Sequence, residues 1–377
     1  MLAVQPVLAQ IATFATQIPA IGRRPLQPLM STMEHHLLNT LFVQTRGATL
    51  RKDHLTVAVV LERKTILTVP IHQLESIVVW GGVHVTPSLL ALCATNSVAV
   101  NYMTESGRFL ARLVAPGSGN VLLRRQQFRI ADNPAAATDI VRSIVAGKIR
   151  NTRGLLVRAA REHTSTDATT ALLAAADRME ANLSALPKAT EINSLRGHEG
   201  DAAQVYFGSF NHLIKDRSKT FMLKGRTRRP PLDPVNCLLS FSYGLLLQDC
   251  SGAIANAGLD PEVGFLHVDR PGRPGLALDL MEELRALASD RFVLSLINKA
   301  QINHSHFDMQ PTGAVLLREN GRKIVLKAWM ERKKEIITHP LLDRKVPFGM
   351  VPSLQARILA RCIRGEIPTY IPYTPRN

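Results

Sequence analysis

Three short stretches of this 377-residue chain set ion-binding side chains beside glycines or at a helix start. The first is Arg196-Gly197-His198-Glu199-Gly200. Glycine within a helical pattern costs roughly 1 kcal/mol relative to Ala, so two of them around one carboxylate suggest the close approach of another backbone. A solvated Glu at a helix kink has the same sequence. The second is Gly264-Phe265-Leu266-His267, where a His at the end of a short apolar run is either a ligand or a half-buried, hydrogen-bonded side chain. The third runs from Leu276 to Glu283 and, if helical, puts Asp279 on one face with Glu282 and Glu283. Glu283 alone also reads as a first-turn carboxylate facing the helix dipole. Carboxylates joined by one His form an oxygen-rich set suited to Mg²⁺ or Mn²⁺ rather than to structural zinc. Such an ion polarises a phosphate and activates an attacking oxygen.

The composition agrees with a phosphate-bearing partner. Lys and Arg number 46 against 30 Asp and Glu, a formal net charge of +16. A surplus of that size points to a polyanion, nucleic acid before an anionic membrane. With 46% hydrophobic residues global disorder is excluded, and with 5% aromatics extensive base-stacking platforms are disfavoured. The four cysteines, Cys93, Cys237, Cys250 and Cys362, include no C-x-x-C pair, which fits a reduced, cytoplasmic chain without a disulfide framework. No apolar run is long enough to cross a bilayer, so no membrane partner is expected.

The elements that must position these residues divide the chain in two. From Leu37 to Val114 the texture is short alternating runs, such as LLNTLFVQ, HLTVAVVLE and SIVVWGG, which read as strands. One short helix interrupts them, with Pro87 at its first position. After Asn120 apolar residues recur at three-to-four spacing, in CLLSFSYGLLLQDCSGAIANAG and LALDLMEELRALASD among others. GAVLLRE is strand-sized, and Asn320-Gly321 after it is a hairpin signal, although the KIVLKAWMERKKEII beyond fits a helix better. The expected fold is α+β: a small N-terminal β-rich domain followed by a larger all-α catalytic domain. Its segments are an N-terminal extension (1–32, disordered or a misassigned start), a β-rich dimerisation domain (33–115), a linker and first helix (116–131), a helical metal-binding domain (132–368) and a flexible tail (369–377).

Four motifs in series carry a family resemblance. RGHEGDAAQVYF, KGRTRRPPLDPVNCLLSFSY, GFLH and LALDLMEEL, with VPSLQARILARCIRG near the end, resemble the CRISPR-associated spacer integrase and endonuclease, the first-numbered Cas protein. The likeness runs from about Met33 to Tyr370. The long HVDRPGRPG turn after Leu266 is most like the subtype I-C branch.

The resemblance implies a metal held by Glu199, His267 and one member of the pair Asp279 and Glu282. By analogy with the family's other branches, Glu282 is the direct ligand and Asp279 its support, although the longer Glu arm leaves room for Asp279 to share the ion. It further implies that the 3′-hydroxyl ends of a captured double-stranded DNA fragment are joined to the CRISPR repeat by transesterification. The implied assembly is a homodimer joined to the small second-numbered Cas protein, with an end-trimming Cas nuclease as a further partner. Lys215, Arg217, Lys219, Lys224, Arg226, Arg228 and Arg229 form a basic stretch expected to hold DNA phosphates. Arg142, Lys148, Arg150, Arg153 and Arg158 read as a second, more diffuse basic surface. Tyr243 and Asn236 either contact DNA or pack, and the His304-x-His306-x-Asp308 pattern reads as a surface turn. A transposon-type integrase and a catalytically silent DNA-binding scaffold are the competing functions.

Overall fold

The computed structural model describes residues 39–96, 98–104, 109–113, 121–215 and 220–375. The N-terminal extension, the linker at 116–120 and the basic residues Arg217 and Lys219 lie outside them.

The first half is a pair of packed four-stranded sheets. Strands β1 (Asn39–Val43), β5 (Leu74–Trp80), β7 (Ala99–Met103) and β8 (Phe109–Leu113) form one sheet in the order β1-β5-β7-β8. Its first three strands are parallel and the last pair antiparallel. Strands β2 (Thr49–Asp53), β3 (Thr56–Leu61), β4 (Lys64–Pro70) and β6 (His84–Val85) form the other, in the order β4-β3-β2-β6. Successive side chains of a strand face opposite ways, and β5 uses both faces. Ile77 and Val79 join Leu50, Val57 and Val59 between the sheets, whereas Val78 and Trp80 join the core of the helical half. A strand buried on both sides reads as a continuous apolar run, which is why Ile77-Val78-Val79-Trp80 shows no alternation. Helix α1 (Pro87–Thr95) starts at the expected proline.

The helical half is built round α3 (Pro134–Glu162), which follows α2 (Val121–Ala131). Asn133 caps α3 by accepting from the Ala135 and Ala136 amides, and Pro134 occupies its first turn, where no amide hydrogen is needed. Helices α4 (Thr166–Ala185), α5 (Ile192–Ser209), α6 (Pro234–Asn256) and α7 (Gly275–Glu282) follow. The long apolar helix expected beyond Leu276 is broken: after α7 the backbone makes a π-helical segment, Arg285–Asp290, before α8 (Arg291–Asn298). The extra residue per turn rotates Arg285 and Asp290 away from the face a continuous helix would give them. By length and composition α6 alone among the described helices could cross a membrane, yet it is a core helix with Leu238, Leu239 and Ile254 buried.

Three expectations are corrected. The second half is not all-α: β9 (Phe307–Met309) pairs with β10 (Val315–Leu317), and β11 (Ile336–His339) with β12 (Arg344–Pro347). Asn320-Gly321 is no hairpin turn, because both residues lie in the first turn of α9 (Glu319–Lys334). Gly321 is small there because a Cβ would stand 2.8 Å from the His306 carbonyl oxygen. The tail is not flexible through Pro375. After α10 (Val351–Ile363), Tyr370 and Tyr373 are buried, and the Tyr370 hydroxyl donates to Glu283 at 2.8 Å. Asn151 of α3 donates to the carbonyls of Glu283 and Tyr373, tying helix, site and tail together. Gly147 leaves the space this needs, since a Cβ there would meet Pro372 at 2.6 Å. The prolines suggested fraying, but the aromatic residues between them have a cavity to fill.

Tyr370→Ala therefore costs about 3–5 kcal/mol in a denaturant titration, whereas Tyr370→Phe, which removes only the hydroxyl, costs about 1–2 kcal/mol.

Candidate metal and phosphodiester site

Glu199 owes its direction to the face of α5 that it shares with Leu195, Ala202 and Tyr206, all buried. That stripe faces α3, so the carboxylate meets Lys148. Gly197 and Gly200 bring no other backbone close: a Cβ at either would touch nothing within 4 Å. The close crossing lies instead between the His267 loop and α7. A Cβ on Gly264 would stand 2.7 Å from the Gly275 carbonyl carbon, and one on Gly275 would stand 2.7 Å from the Glu262 oxygen.

That crossing places the His loop over the Asp279 carboxylate. Oδ2 accepts from the amides of Phe265 at 2.6 Å and Leu266 at 3.0 Å, and Oδ1 from the amide of His267 at 3.0 Å. Oδ1 is also 2.7 Å from the His267 ring Nδ1. As an ionised carboxylate can only accept, that contact assigns the ring proton to Nδ1. Nε2 is left with its lone pair, 3.7 Å from Glu282 Oε1. Asp279 is fully enclosed and its oxygens are committed, so it supports the His rather than reaching past it. Two further residues hold the loop. Arg196, one turn before Glu199, donates through Nε and Nη2 to the Leu266 carbonyl at 2.9 and 2.6 Å. Gln127 of α2 donates to the Asp260 and Val263 carbonyls, both at 2.8 Å.

Glu282 shares a face of α7 with Asp279 and is only 3% exposed. Burial opposes its ionisation, but the nearby charges of Arg285 and Lys148 outweigh it and hold the carboxyl down at about 2. Arg285 Nη2 pairs with Oε1 at 2.9 Å, and Lys148 Nζ lies 2.6 Å from Oε2. Oε2 is nonetheless buried without a well-directed hydrogen bond. Lys148 also contacts Glu199 Oε1, so one ammonium touches acids from two helices. Among the described residues no three His, Cys, Asp or Glu side chains stand close enough to grip an ion together. The donors still suit a hard divalent cation: two carboxylates, one of them with a buried oxygen that lacks a well-directed hydrogen bond, and one His nitrogen with a free lone pair.

Next to this centre Arg285 lies over the Tyr243 ring at 5.1 Å, and Arg226 lies over the same ring at 5.3 Å and over Phe207 at 5.7 Å. The Tyr243 hydroxyl donates to Asp290 at 2.6 Å. Burial raises the Asp290 carboxyl to about 6, against the pull of Tyr243, Tyr206, Arg285 and Arg226.

Several expected positions change meaning. Arg226 is half-buried and donates to Asn236 Oδ1 at 2.6 Å, so it braces its loop, whereas Lys215, Lys224, Arg228 and Arg229 are exposed or nearly so. Asn236 packs: it is wholly buried and bonds Gly225, Asp233, Arg226 and Thr227. The second basic surface dissolves, because a helix spreads these residues round its axis. Lys148 enters the acid pair, Arg142 donates to the Leu186 and Ala189 carbonyls, and Arg153 pairs with Glu180. Glu283 does not face a helix N-terminus but sits at the C-terminal end of α7, against the tail. Sequence reasoning missed Arg196, Arg285 and Asp290, and it set Lys148 on a diffuse basic surface rather than between the two acids. Arg196 alone had a signal, its place in the first motif.

Comparison with known proteins matches the chain to a family. The family described as "CRISPR associated protein Cas1" matches residues 41–331. The chain belongs to the Cas1 family. A CRISPR-associated endonuclease Cas1 from Rhodospirillum rubrum is 47% identical over 89% of this chain and 98% of its own length. One from Moorella thermoacetica is 44% identical over 91% of this chain and all of its own. A Cas4 exonuclease–Cas1 endonuclease fusion, also from R. rubrum, is 33% identical over 95% of this chain and 60% of its own length. Among solved structures, a Cas1 from Thermotoga maritima shares the fold with a TM-score of 0.75 at 22% identity, over 90% of this chain and all of its own. A casposase bound to its integration product gives 0.74 at 20% identity, over 88% of this chain and 92% of its own. A chain of a Cas6-RT-Cas1–Cas2 complex gives 0.76 at 22% identity, over 90% of this chain and 36% of its own.

Two outcomes are expected. Asp279→Asn keeps the shape but sets an amide against the loop's donors, and Mn²⁺ affinity measured by calorimetry drops by about 10–100-fold. A carboxyl raised on folding contributes stability that is full below its unfolded value and is lost as pH rises through its folded value. For Asp290 that window runs from 3.8 to about 6. Thermal melts across it therefore show the wild type losing stability with rising pH more steeply than Asp290→Asn.

Proposed function

We propose that this chain, an endonuclease by family, joins the 3′-hydroxyl ends of captured double-stranded DNA to a CRISPR repeat during spacer acquisition. The observation that carries the reading is the convergence of Glu199 and Glu282 on one point, beside a His267 whose outward nitrogen is freed by Asp279. Glu199, Glu282 and His267 Nε2 would hold Mg²⁺ or Mn²⁺, which supplies positive charge to the scissile phosphate and favours the attacking alkoxide.

The chain's own residues do the rest. Asp279 fixes the His267 tautomer and, with Arg196, the loop that carries it. Arg285 keeps Glu282 ionised in a buried place. Lys215, Lys224, Arg228 and Arg229, together with Arg217 and Lys219, hold the DNA backbone without reading its sequence. Transesterification makes one phosphorus–oxygen bond as it breaks another, so no external energy source is needed. Water as nucleophile gives the nuclease reaction, and no covalent enzyme intermediate is required.

The working assembly is a cytoplasmic homodimer joined through the β-rich domain and bound to a Cas2 subunit. The Cas1–Cas2 complex among its structural relatives supports the second partner. The Cas4–Cas1 fusion supports an end-trimming nuclease working with this chain. The long turn at 268–274 favours the subtype I-C branch.

The test is a labelled branched DNA that mimics a half-integrated fragment, given with Mn²⁺ or EDTA. The wild type releases and rejoins the strand only with Mn²⁺, and Glu199→Ala and His267→Ala each lose at least about 10²-fold of that rate. Full DNA binding with no strand transfer, even with the Cas2 partner added, would instead mark a DNA-binding scaffold.

A further inference from the structure

We propose that Lys148 is a placeholder cation: without metal its ammonium occupies the point between Glu199 and Glu282, and the incoming ion displaces it. The proposal rests on the ligand reading above. Its starting point is a side chain 12% exposed, on α3, whose Nζ contacts Glu199 Oε1 and lies 2.6 Å from Glu282 Oε2. These two acids come from different helices, α5 and α7, and among the described residues Lys148 is the side chain in ion-pair contact with both, Arg285 contacting Glu282 through Oε1.

Glu282 is enclosed while Glu199 is 26% exposed, so water screens their repulsion only in part, and leaving the buried Glu282 unpaired is costly. The metal-free protein therefore needs a positive charge at this point. Lys148 and Arg285 both supply charge, but they are held differently. Arg285 is fixed by its 2.9 Å pairing with Glu282 and by the Tyr243 ring beneath it. Lys148 is a point charge on a flexible stem, which hydrogen-bonds Glu199 but makes no well-directed bond to the Glu282 oxygen it faces. Lys148 is thus the cation that can leave, uncovering one oxygen on each acid.

Competition of this kind weakens apparent metal affinity, so removing the ammonium must strengthen binding. Disruption of a merely structural lysine would do the opposite. The experiment measures Mn²⁺ binding by the electron paramagnetic resonance signal of the free ion, with melting temperature as a second readout. It uses the wild type, Lys148→Met, Lys148→Arg and Glu199→Gln. Lys148→Met is expected to bind Mn²⁺ about fivefold or more tightly than the wild type. It should melt lower without the ion and gain more melting temperature from it.

Lys148→Arg keeps the charge and is expected to bind no more tightly than the wild type. It also carries the test if the Met variant does not fold without metal: a gain in the Arg variant overturns the placeholder role. Equal or weaker binding by Lys148→Met overturns it too, while Glu199→Gln, by losing the ion, still upholds the ligand set. If Glu199→Gln binds Mn²⁺ as well as the wild type does, the ligand reading itself fails, and the placeholder with it.

Discussion

The constraint on which the rest of the site depends is the enclosure of the Asp279 carboxylate. Three consecutive amides, those of Phe265, Leu266 and His267, point at it, and the His267 ring adds a fourth contact. A charge removed from water needs such saturation, because an ionised group left short of donors in an apolar interior is costly. In return the carboxylate folds an irregular loop around itself and fixes one histidine in one orientation. The loop can come so close only because Gly264 and Gly275 face each other without side chains.

Charge balance is the second organising element. Glu282 lies in a place where burial alone would leave it protonated, and Arg285 and Lys148 reverse that. The same arginine lies over Tyr243, which in turn donates to Asp290. The acid pair is therefore joined to a buried polar chain that runs through the π-helical segment. A regular helix over the same residues would have turned Arg285 and Asp290 to other faces, so the irregular backbone is part of the electrostatic arrangement.

Support reaches the site from both ends of the helical half. Gln127 steadies the loop before Gly264, and the C-terminal tail closes over Glu283, next to Glu282. Asn151 bonds both Glu283 and the tail. The long helix α3 thus supplies Gly147, Lys148 and Asn151 within little more than one turn: clearance for the tail, a cation for the acids and an anchor for both.

The sequence by itself determined the two-part organisation, the position of most helices and the candidate acids and histidine. Period and local chemistry decide these: strand-like runs give way to three-to-four spacing near residue 120, and Pro87 opens a helix wherever the chain goes afterwards. Glu199, His267, Asp279 and Glu282 stood out because their motifs are local and ordered along the chain. What required the tertiary structure was partnership across distance. Lys148 looked like one of several surface bases, and only the packing of α3 against α5 and α7 brings it to Glu199, 51 residues further along the chain. Tyr370 sits among prolines that suggest fraying, and its buried place depends on Glu283, 87 residues away. GAVLLRE signalled β10, but β9, β11 and β12 escaped notice because three or four residues carry too little periodicity to be told from loop. The function of Gly264 and Gly275 appears only where two backbones cross.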